Sequence, residues 1–417
     1  MPLNLKTASV ASATLLMALT ACTKSSETTA QTDDGGPIRI GVAVSETGAY
    51  SVEGASVKQG YQFWESKVND AAGIDVCGEQ RPVEVIYYDD QSDPETAIKL
   101  TQRLISEDEV DFVFGPYSSG MTIATSAITE QYGTIMFAGG AAAESVFEQG
   151  NEYLFSPLSL TSQYTVSGLD LLADQGAQSV GILHSDEAPM VDIAEATEAY
   201  AEELGMEVTS VQSVPAAASD IKGALRQIRD GDPDVLVEAG TSVLGVLTTR
   251  TLRDLGWAPE VLMIQAPTEE AFVKQLGPEI AQGVMAPTQW EPVVDFSDDF
   301  FGAAEDYAAD YRAEFGEDPS YLAASASAAA QSLQMALQEA CTTETEAVRE
   351  ALVDMDADTF FGPINFAGPD DESGLMGANL ERKMLTLQIS EDGERVVVAP
   401  EEAANAEFTP MKPWSAR

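Results

Sequence analysis

One stretch, Val110 to Ala143 (VDFVFGPYSSGMTIATSAITEQYGTIMFAGGAAA), restricts the possible folds more than any other in the chain. Val110, Phe112, Val113 and Phe114 make an apolar run of buried-strand length, and Gly115-Pro116 stops it. After Tyr117-Ser118-Ser119-Gly120, the residues Met121, Ile123, Ala124, Ala127 and Ile128 recur at helical spacing. A second strand, predicted over 134–137, ends at Ala138-Gly139-Gly140-Ala141. Strand, turn, helix, strand, turn is the unit of a parallel sheet. It sets two turns side by side at the carboxyl ends of neighbouring strands, where open α/β sheets hold ligands. Ser118 and Ser119 then fall on the first helical turn, whose N–H groups lack intrahelical acceptors. Two readings of the pair stay open: the hydroxyls cap the helix, or they join the free N–H groups in receiving a carboxylate or similar acceptor.

The same alternation runs along the chain. Residues 38–44 (IRIGVAV) read as a buried strand, and 57–68 as a helix with Val57, Tyr61, Trp64 and Val68 on one face. A strand at 83–88 and a helix carrying Ala97, Leu100, Leu104 and Ile105 complete a first series. Tyr153 to Leu158 breaks the rhythm as a crossing strand. A second series follows, with strands at 180–184, 207–211, 235–238 and 261–265 separated by helices at 165–175, 193–204, 221–229 and 244–255. Val284 to Pro292 and Phe360 to Glu372 read as further crossings, 306–315 and 322–340 as helices, and 383–389 with 395–398 as a hairpin turned at Asp392-Gly393. The expected architecture is α/β, with two doubly wound parallel-sheet lobes joined by a three-crossing hinge. Such a hinge lets two rigid lobes close on a ligand. The expected division is lobe 1 from 37–155 and 290–342, lobe 2 from 156–289 and 343–399, and a tail from 400–417.

The start of the chain reads as an export signal over residues 1–21, with Lys6 ahead of a mostly apolar core from Val10 to Leu19. Leu19-Thr20-Ala21-Cys22 matches the bacterial lipobox, in which Cys22 is lipidated; an ordinary signal with an incidental cysteine is the other reading. Residues 22–36 are polar and free of aromatics, the composition of a disordered tether. No later run reaches membrane-spanning length, so the expectation is a chain anchored to a membrane without crossing it.

The formal charge of −48 arises from 69 acidic against 21 basic residues spread along the whole chain. Phosphate backbones need basic surface, so nucleic acid is excluded as a partner. Even acidity fits solubility and assigns no reaction. The enzyme inventory is thin: a single histidine, His184, stands at a strand end, without a nucleophile elbow, phosphate loop or zinc spacing. Asp89-Asp90-Gln91-Ser92-Asp93-Pro94 offers oxygens for calcium but lacks the glycine and closing glutamate of a calcium loop, and reads as a helix start. Cys77 and Cys341 are left either as a long-range disulfide or as two buried thiols.

Ser45-Glu46-Thr47-Gly48, Asn69 with Gly73, Asp89 to Pro94, Gly115-Pro116-Tyr117-Ser118-Ser119, Tyr153-Leu154-Phe155 and Asp232-Pro233-Asp234 occur in that order. The ordered set resembles the branched-chain amino-acid (Leu/Ile/Val-type) solute-binding proteins of ABC importers, a type I periplasmic-binding fold, over residues 37 to 398. The resemblance implies that the Ser119 hydroxyl, beside Ser118, meets the carboxylate end of a ligand, with Gly140 and Ala142 contributing from the next turn. Ala142 lacks the threonine hydroxyl usual there, and Ala188-Pro189-Met190 replaces the family's aromatic and glycine in the second lobe. The acid that receives a ligand ammonium has Glu269 and Glu53 as candidates, and Trp290 packs either on the ligand or within the hinge. These departures leave an amide, another amino acid or an aromatic carboxylate as solutes beside a branched-chain amino acid. The resemblance further implies a small-molecule solute, an ABC permease as partner, an extracytoplasmic monomer anchored through Cys22, and no cofactor or metal. A sensor or regulator of a cell-envelope enzyme, built on the same fold, is the alternative.

Overall fold

The computed structural model describes residues 35–265, 270–380 and 382–416. The export signal, Cys22, most of the tether and Glu269 lie outside the described residues.

Apolar runs give central strands buried on both faces, and with more exposed edge strands these make two largely parallel sheets. In the first lobe β1 (Ile38–Val44), β2 (Val83–Asp89), β3 (Phe112–Phe114), β4 (Met136–Phe137) and β5 (Leu154–Phe155) lie in the order β2-β1-β3-β4-β5, every pair parallel. Alternation along the strands sends Phe112, Phe114, Phe137 and Phe155 to one face and Val113, Met136 and Leu154 to the other. Helix α1 (Ser51–Asp70) covers the aromatic face, with Tyr61 stacked on Phe114 at 4.4 Å between ring centroids. Helices α2 (Pro94–Ser106) and α3 (Ser119–Tyr132) follow their strands in the usual crossover manner. The acidic turn before α2 starts that helix: Asp93 accepts from Thr96 N at 2.8 Å and Pro94 opens the first turn.

The second lobe holds β6 (Ser179–Ser185), β7 (Glu207–Val214), β8 (Val235–Ala239), β9 (Val261–Ile264), β10 (Met285–Thr288), β11 (Leu385–Ile389) and β12 (Arg395–Ala399). Their order is β12-β11-β10-β9-β8-β6-β7. The hairpin β11–β12 adds antiparallel to β10; the other pairs are parallel. Helices α4 (Ala188–Glu203) and α5 (Ser242–Leu255) begin at the carboxyl ends of β6 and β8.

Helix α6 (Tyr321–Ala340) explains its alanine content by proximity. A Cβ on Gly60 of α1 would lie 2.2 Å from the Ala323 carbonyl oxygen, and one on Gly139 would lie 2.7 Å from the Ala326 Cα. Small residues let two helices and a strand end approach this closely. Cys77 and Cys341 are joined as a disulfide with their Cα atoms 4.9 Å apart, tying the hairpin 74–81 to the C-cap of α6 within the first lobe.

One part of the expected division needs correction. Helix α7 (Thr345–Val353) packs on α6 and buries Val348 and Leu352 in the core shared with α1; Phe360, Phe361 and Ile364 join them. Residues 345–366 therefore belong to the first lobe, and of the range 343–399 only β11 and β12 enter the second sheet. The third crossing comes later than Phe360 to Glu372, between Asn379 and Leu385. The apolar face of α7 is covered by α6 and the core that 360–364 joins, and strand rhythm does not show that.

Candidate functional site

The two turns of the first lobe are pressed together. Gly115 N donates to Phe137 O at 2.7 Å, and Ser118 N donates to Gly140 O at 3.0 Å. A Cβ on Gly140 would stand 3.0 Å from the Tyr117 Cα and 3.1 Å from the Pro116 carbonyl oxygen, so a side chain there would press on the backbone of the neighbouring turn. Ser118 adopts φ +80° and ψ 142°, a conformation sparsely populated for a residue with a Cβ. It is held there from three sides: its N–H on Gly140, its Oγ accepting from Met121 N at 3.3 Å, and its carbonyl accepting from Thr122 N. Strain kept in place by several contacts is a mark of functional turns.

The two serines divide the roles left open by the sequence. Ser118 is the N-cap of α3. Ser119 is half-buried, and its Oγ accepts from Ala143 N at 3.2 Å, which leaves its O–H to donate elsewhere. The N–H groups of Ser119 and Gly120 have no intrahelical partner, and those of Gly140, Ala141 and Ala142 meet no acceptor among the described residues. A hydroxyl and several backbone donors thus converge at the positive end of a fourteen-residue helix, an arrangement suited to an anionic or carbonyl oxygen. Tyr50 and Tyr117 meet edge to face beside it, ring centroids 5.7 Å apart.

Glu53 and Trp290 are placed elsewhere. They border a cavity of about 800 Å³ between the start of α1, the second crossing and the second lobe. Trp290 is 2% exposed, donates Nε1–H to Phe360 O at 3.0 Å and packs against Tyr307. Its ring is hinge packing with one edge on the cavity. Ser118, Ser119, Gly140 and Ala142 form one group, and Glu53 with Trp290 another.

Three residues that the sequence reading did not single out complete the setting. Arg382 is buried where the crossings meet. Its Nη1 donates to Gln289 Oε1 (2.7 Å) and Ser159 Oγ (3.2 Å), and its Nη2 to Phe361 O (2.9 Å) and Gln289 O. Ser159 and Gln289 are themselves paired through N–H to Oε1 (3.1 Å) and Nε2–H to O (2.9 Å). One guanidinium therefore stitches all three crossings. Glu238, in the apolar run of β8, is fully buried, and neither carboxylate oxygen finds a partner among the described residues. Burial pushes its carboxyl well above the ordinary range. Glu291, in the second crossing, is 6% exposed and 3.2 Å from Arg395; burial raises its carboxyl to about 7 against the pull of that guanidinium. An acid inside an apolar run was the available signal for Glu238, and nothing local marks the other two.

His184 spends Nδ1–H on Ser185 O at 2.9 Å. In the acidic turn Asp89 accepts from Glu46 N, Thr47 N and Gln91 N, and Asp90 Oδ1 accepts from Ser45 Oγ and Ser92 N while its Oδ2 meets no partner among the described residues. Among the described residues, no cluster of acidic, histidine or cysteine side chains fits a metal ion, and no helix is long and apolar enough to cross a membrane.

Two parallel-sheet lobes, a hinge of three crossings and donors gathered at strand carboxyl ends define a two-lobe binding protein. A family model described as periplasmic binding protein matches residues 37–394, and the chain belongs to that family. Its homologues are solute-binding proteins, and it is a binding protein rather than an enzyme. It is 22% identical over 387 residues to a Leu/Ile/Val-binding protein homolog 7 of Brucella abortus (strain 2308), covering 89% of this chain and 93% of that one. Among solved structures, the fold is similar to a putative branched-chain amino acid ABC transporter protein from Silicibacter pomeroyi (TM-score 0.75, 21% identity, 91% of this chain and all of that one). It is also similar to a solute-binding protein from Rhodopseudomonas palustris BisB5 in complex with 3,4-dihydroxy benzoic acid (TM-score 0.68, 19% identity, 90% and 98% covered).

Proposed function

We propose that this protein is the extracytoplasmic receptor of an ABC importer, held to a membrane by lipid on Cys22, and that it captures a small carboxylate- or amide-bearing solute by closing two lobes. The observation that carries the reading is the convergence of the Ser119 hydroxyl with the unpaired N–H groups of the Gly140 turn at the start of α3. Ser119 supplies a donor to the solute's oxygen; Gly140, Ala141 and Ala142 supply backbone donors beside it. Ala142 adds no hydroxyl, so this half of the cleft recognises the oxygen and leaves the choice among solutes to the rest. The relatives named for leucine, isoleucine and valine, and the neighbour holding 3,4-dihydroxy benzoic acid, support a panel that spans aliphatic and aromatic carboxylates.

A thermal-shift screen of the purified protein over amino acids, amides, aromatic acids and polyamines tests the reading. A solute that binds raises the melting temperature with ligand concentration, as mass action requires. Ser119→Ala is expected to weaken that solute by about 1–3 kcal/mol, the cost of one lost buried partner. An unchanged affinity in the variant removes Ser119 from the site. Silence across the whole panel removes the transport reading and favours a sensor or regulator of the same fold. Cys22→Ser is expected to release the protein from the membrane fraction.

A further inference from the structure

The cavity beside the hinge carries a chemistry that the donor cluster at Ser119 lacks. Its volume of about 800 Å³ lies within the size class of small-molecule sites. The buried part of its wall is Thr288, Trp290, Glu291, Pro319 and Leu322, and Glu291 is the one ionisable group among these five. The remaining charged lining includes Glu53, Asp318, Asp392 and Glu394, against Lys274 and Arg395, so acids predominate. Glu291 has 8% of its side chain accessible, whereas Arg395, its ion-pair partner, keeps 38% of its own in solvent. A carboxylate at such a site gains from any additional cation, because few waters screen it.

We propose that this cavity receives an alkylammonium group, with the Glu291 carboxylate as acceptor and the cavity-facing edge of Trp290, together with Leu322, packing on the methylenes that carry it. The proposal rests on the solute-binding reading above and narrows its solutes to those with a cationic nitrogen on a short aliphatic chain. Two sources share this chemistry: the side chain of a basic amino acid and a free diamine. The Ser119 cluster binds oxygen and has no need of such a group, so the two sites make separate demands on a solute.

Calorimetric titration of the protein at about pH 8, above the raised value of about 7 so that Glu291 is ionised, with lysine, 1,5-diaminopentane and norleucine separates the cases. Norleucine keeps the aliphatic chain of lysine and lacks the terminal ammonium. The expected result is binding of lysine, the diamine or both, with norleucine weaker by about tenfold or more, the worth of a charged hydrogen bond. Lysine alone identifies a basic amino acid as the source; the diamine alone or alongside identifies the cationic chain as sufficient. Glu291→Gln is expected to abolish the preference over norleucine. Arg395→Gln is expected to act in the opposite direction and strengthen the cationic ligand, because it removes the competing guanidinium. A purely structural role for the pair would weaken binding in both variants. Should Glu291→Gln fail to fold, Arg395→Gln decides alone, and an unchanged or lower affinity for the cation there overturns the proposal. Norleucine or leucine bound as well as lysine and the diamine overturns it while leaving the solute-binding reading intact. Absence of binding by cationic, neutral and anionic solutes alike overturns both.

Discussion

Replacing Glu238 by leucine is expected to stabilise the second lobe. The carboxyl is fully buried, and neither oxygen has a hydrogen-bond partner among the described residues. An unsatisfied buried polar group costs about 1–3 kcal/mol, and leucine, of similar length, removes that cost while adding apolar contact to Leu244 and Ile264. The space is defined: a Cβ on Gly240 would lie 2.4 Å from Glu238 Oε1, so the substituent must keep the present shape, which leucine does and a β-branched residue does not. For a unit of this size, a gain of that order raises the melting temperature by about 2–4 °C per kcal/mol. The effect also carries a pH signature. The folded carboxyl is raised, so the unfolded chain releases its proton first, above the ordinary value of 4.5, and the wild type loses stability as pH rises from there. Scanning calorimetry of both proteins between pH 5 and pH 8 (about the range where this proton matters) is expected to show a gap that widens with pH. A melting temperature that falls in the variant, or a gap that is constant with pH, refutes the picture of an unpaired buried acid.

Other expectations can be checked with the same preparations. Gly140→Ala is expected to weaken solute binding along with stability, since its Cβ would press on the Tyr117 Cα and the Pro116 carbonyl oxygen; titration against the panel reads it. Between about pH 4.5 and 7 the Glu291 carboxyl stays protonated in the folded protein and not in the unfolded one, so stability falls with rising pH by roughly 3 kcal/mol, and Glu291→Gln flattens that part of the denaturation profile. Reducing the disulfide, or Cys77→Ser with Cys341→Ser, is expected to cost about 2–5 kcal/mol because it frees a closure between residues 264 apart, measurable by urea denaturation with and without reductant. Arg382→Met is expected to lower the melting temperature, since Gln289 and Ser159 lose a shared buried donor, and to broaden the unfolding transition if the lobes uncouple.

Much of the fold was legible because it is local. The strand Ile38–Val44 has in the structure the bounds its apolar run suggests, and the two sheets follow from strands and helices taken in order. Helix α1 starts at Ser51 rather than at Val57, because its first turn exposes Val52, and a reading from buried periodicity begins only where burial begins. The turns of the donor cluster were legible for the same reason: a Gly-Pro stop, a serine pair and a Gly-Gly turn each announce their own backbone geometry. Everything that depends on segments far apart was not. The cavity brings Glu53, Trp290, Glu291 and Arg395 together, and no local pattern joins them. Nor does a lone arginine in ERK reveal that Gln289 and Ser159 wait for it. Within the expected lobe-2 range 343–399, residues 345–366 pack with the first lobe, since only three-dimensional packing shows Leu352 beside α6.

The disulfide within the first lobe has a bearing on how the chain is made. That lobe is written in two pieces, and five strands of the second, β6 to β10, come between them. As synthesis proceeds from the amino end, the second lobe has most of its sheet in hand while α1 still presents Gly60 and Trp64 to a helix not yet made. The half-built first lobe is then the species whose uncovered apolar surface is open to aggregation. Cys77 must wait as a thiol until residue 341 arrives, and of the three cysteines in the sequence Cys22 is its sole wrong partner. Lipid on the Cys22 sulfur, as proposed, would remove that partner and leave a single oxidative outcome.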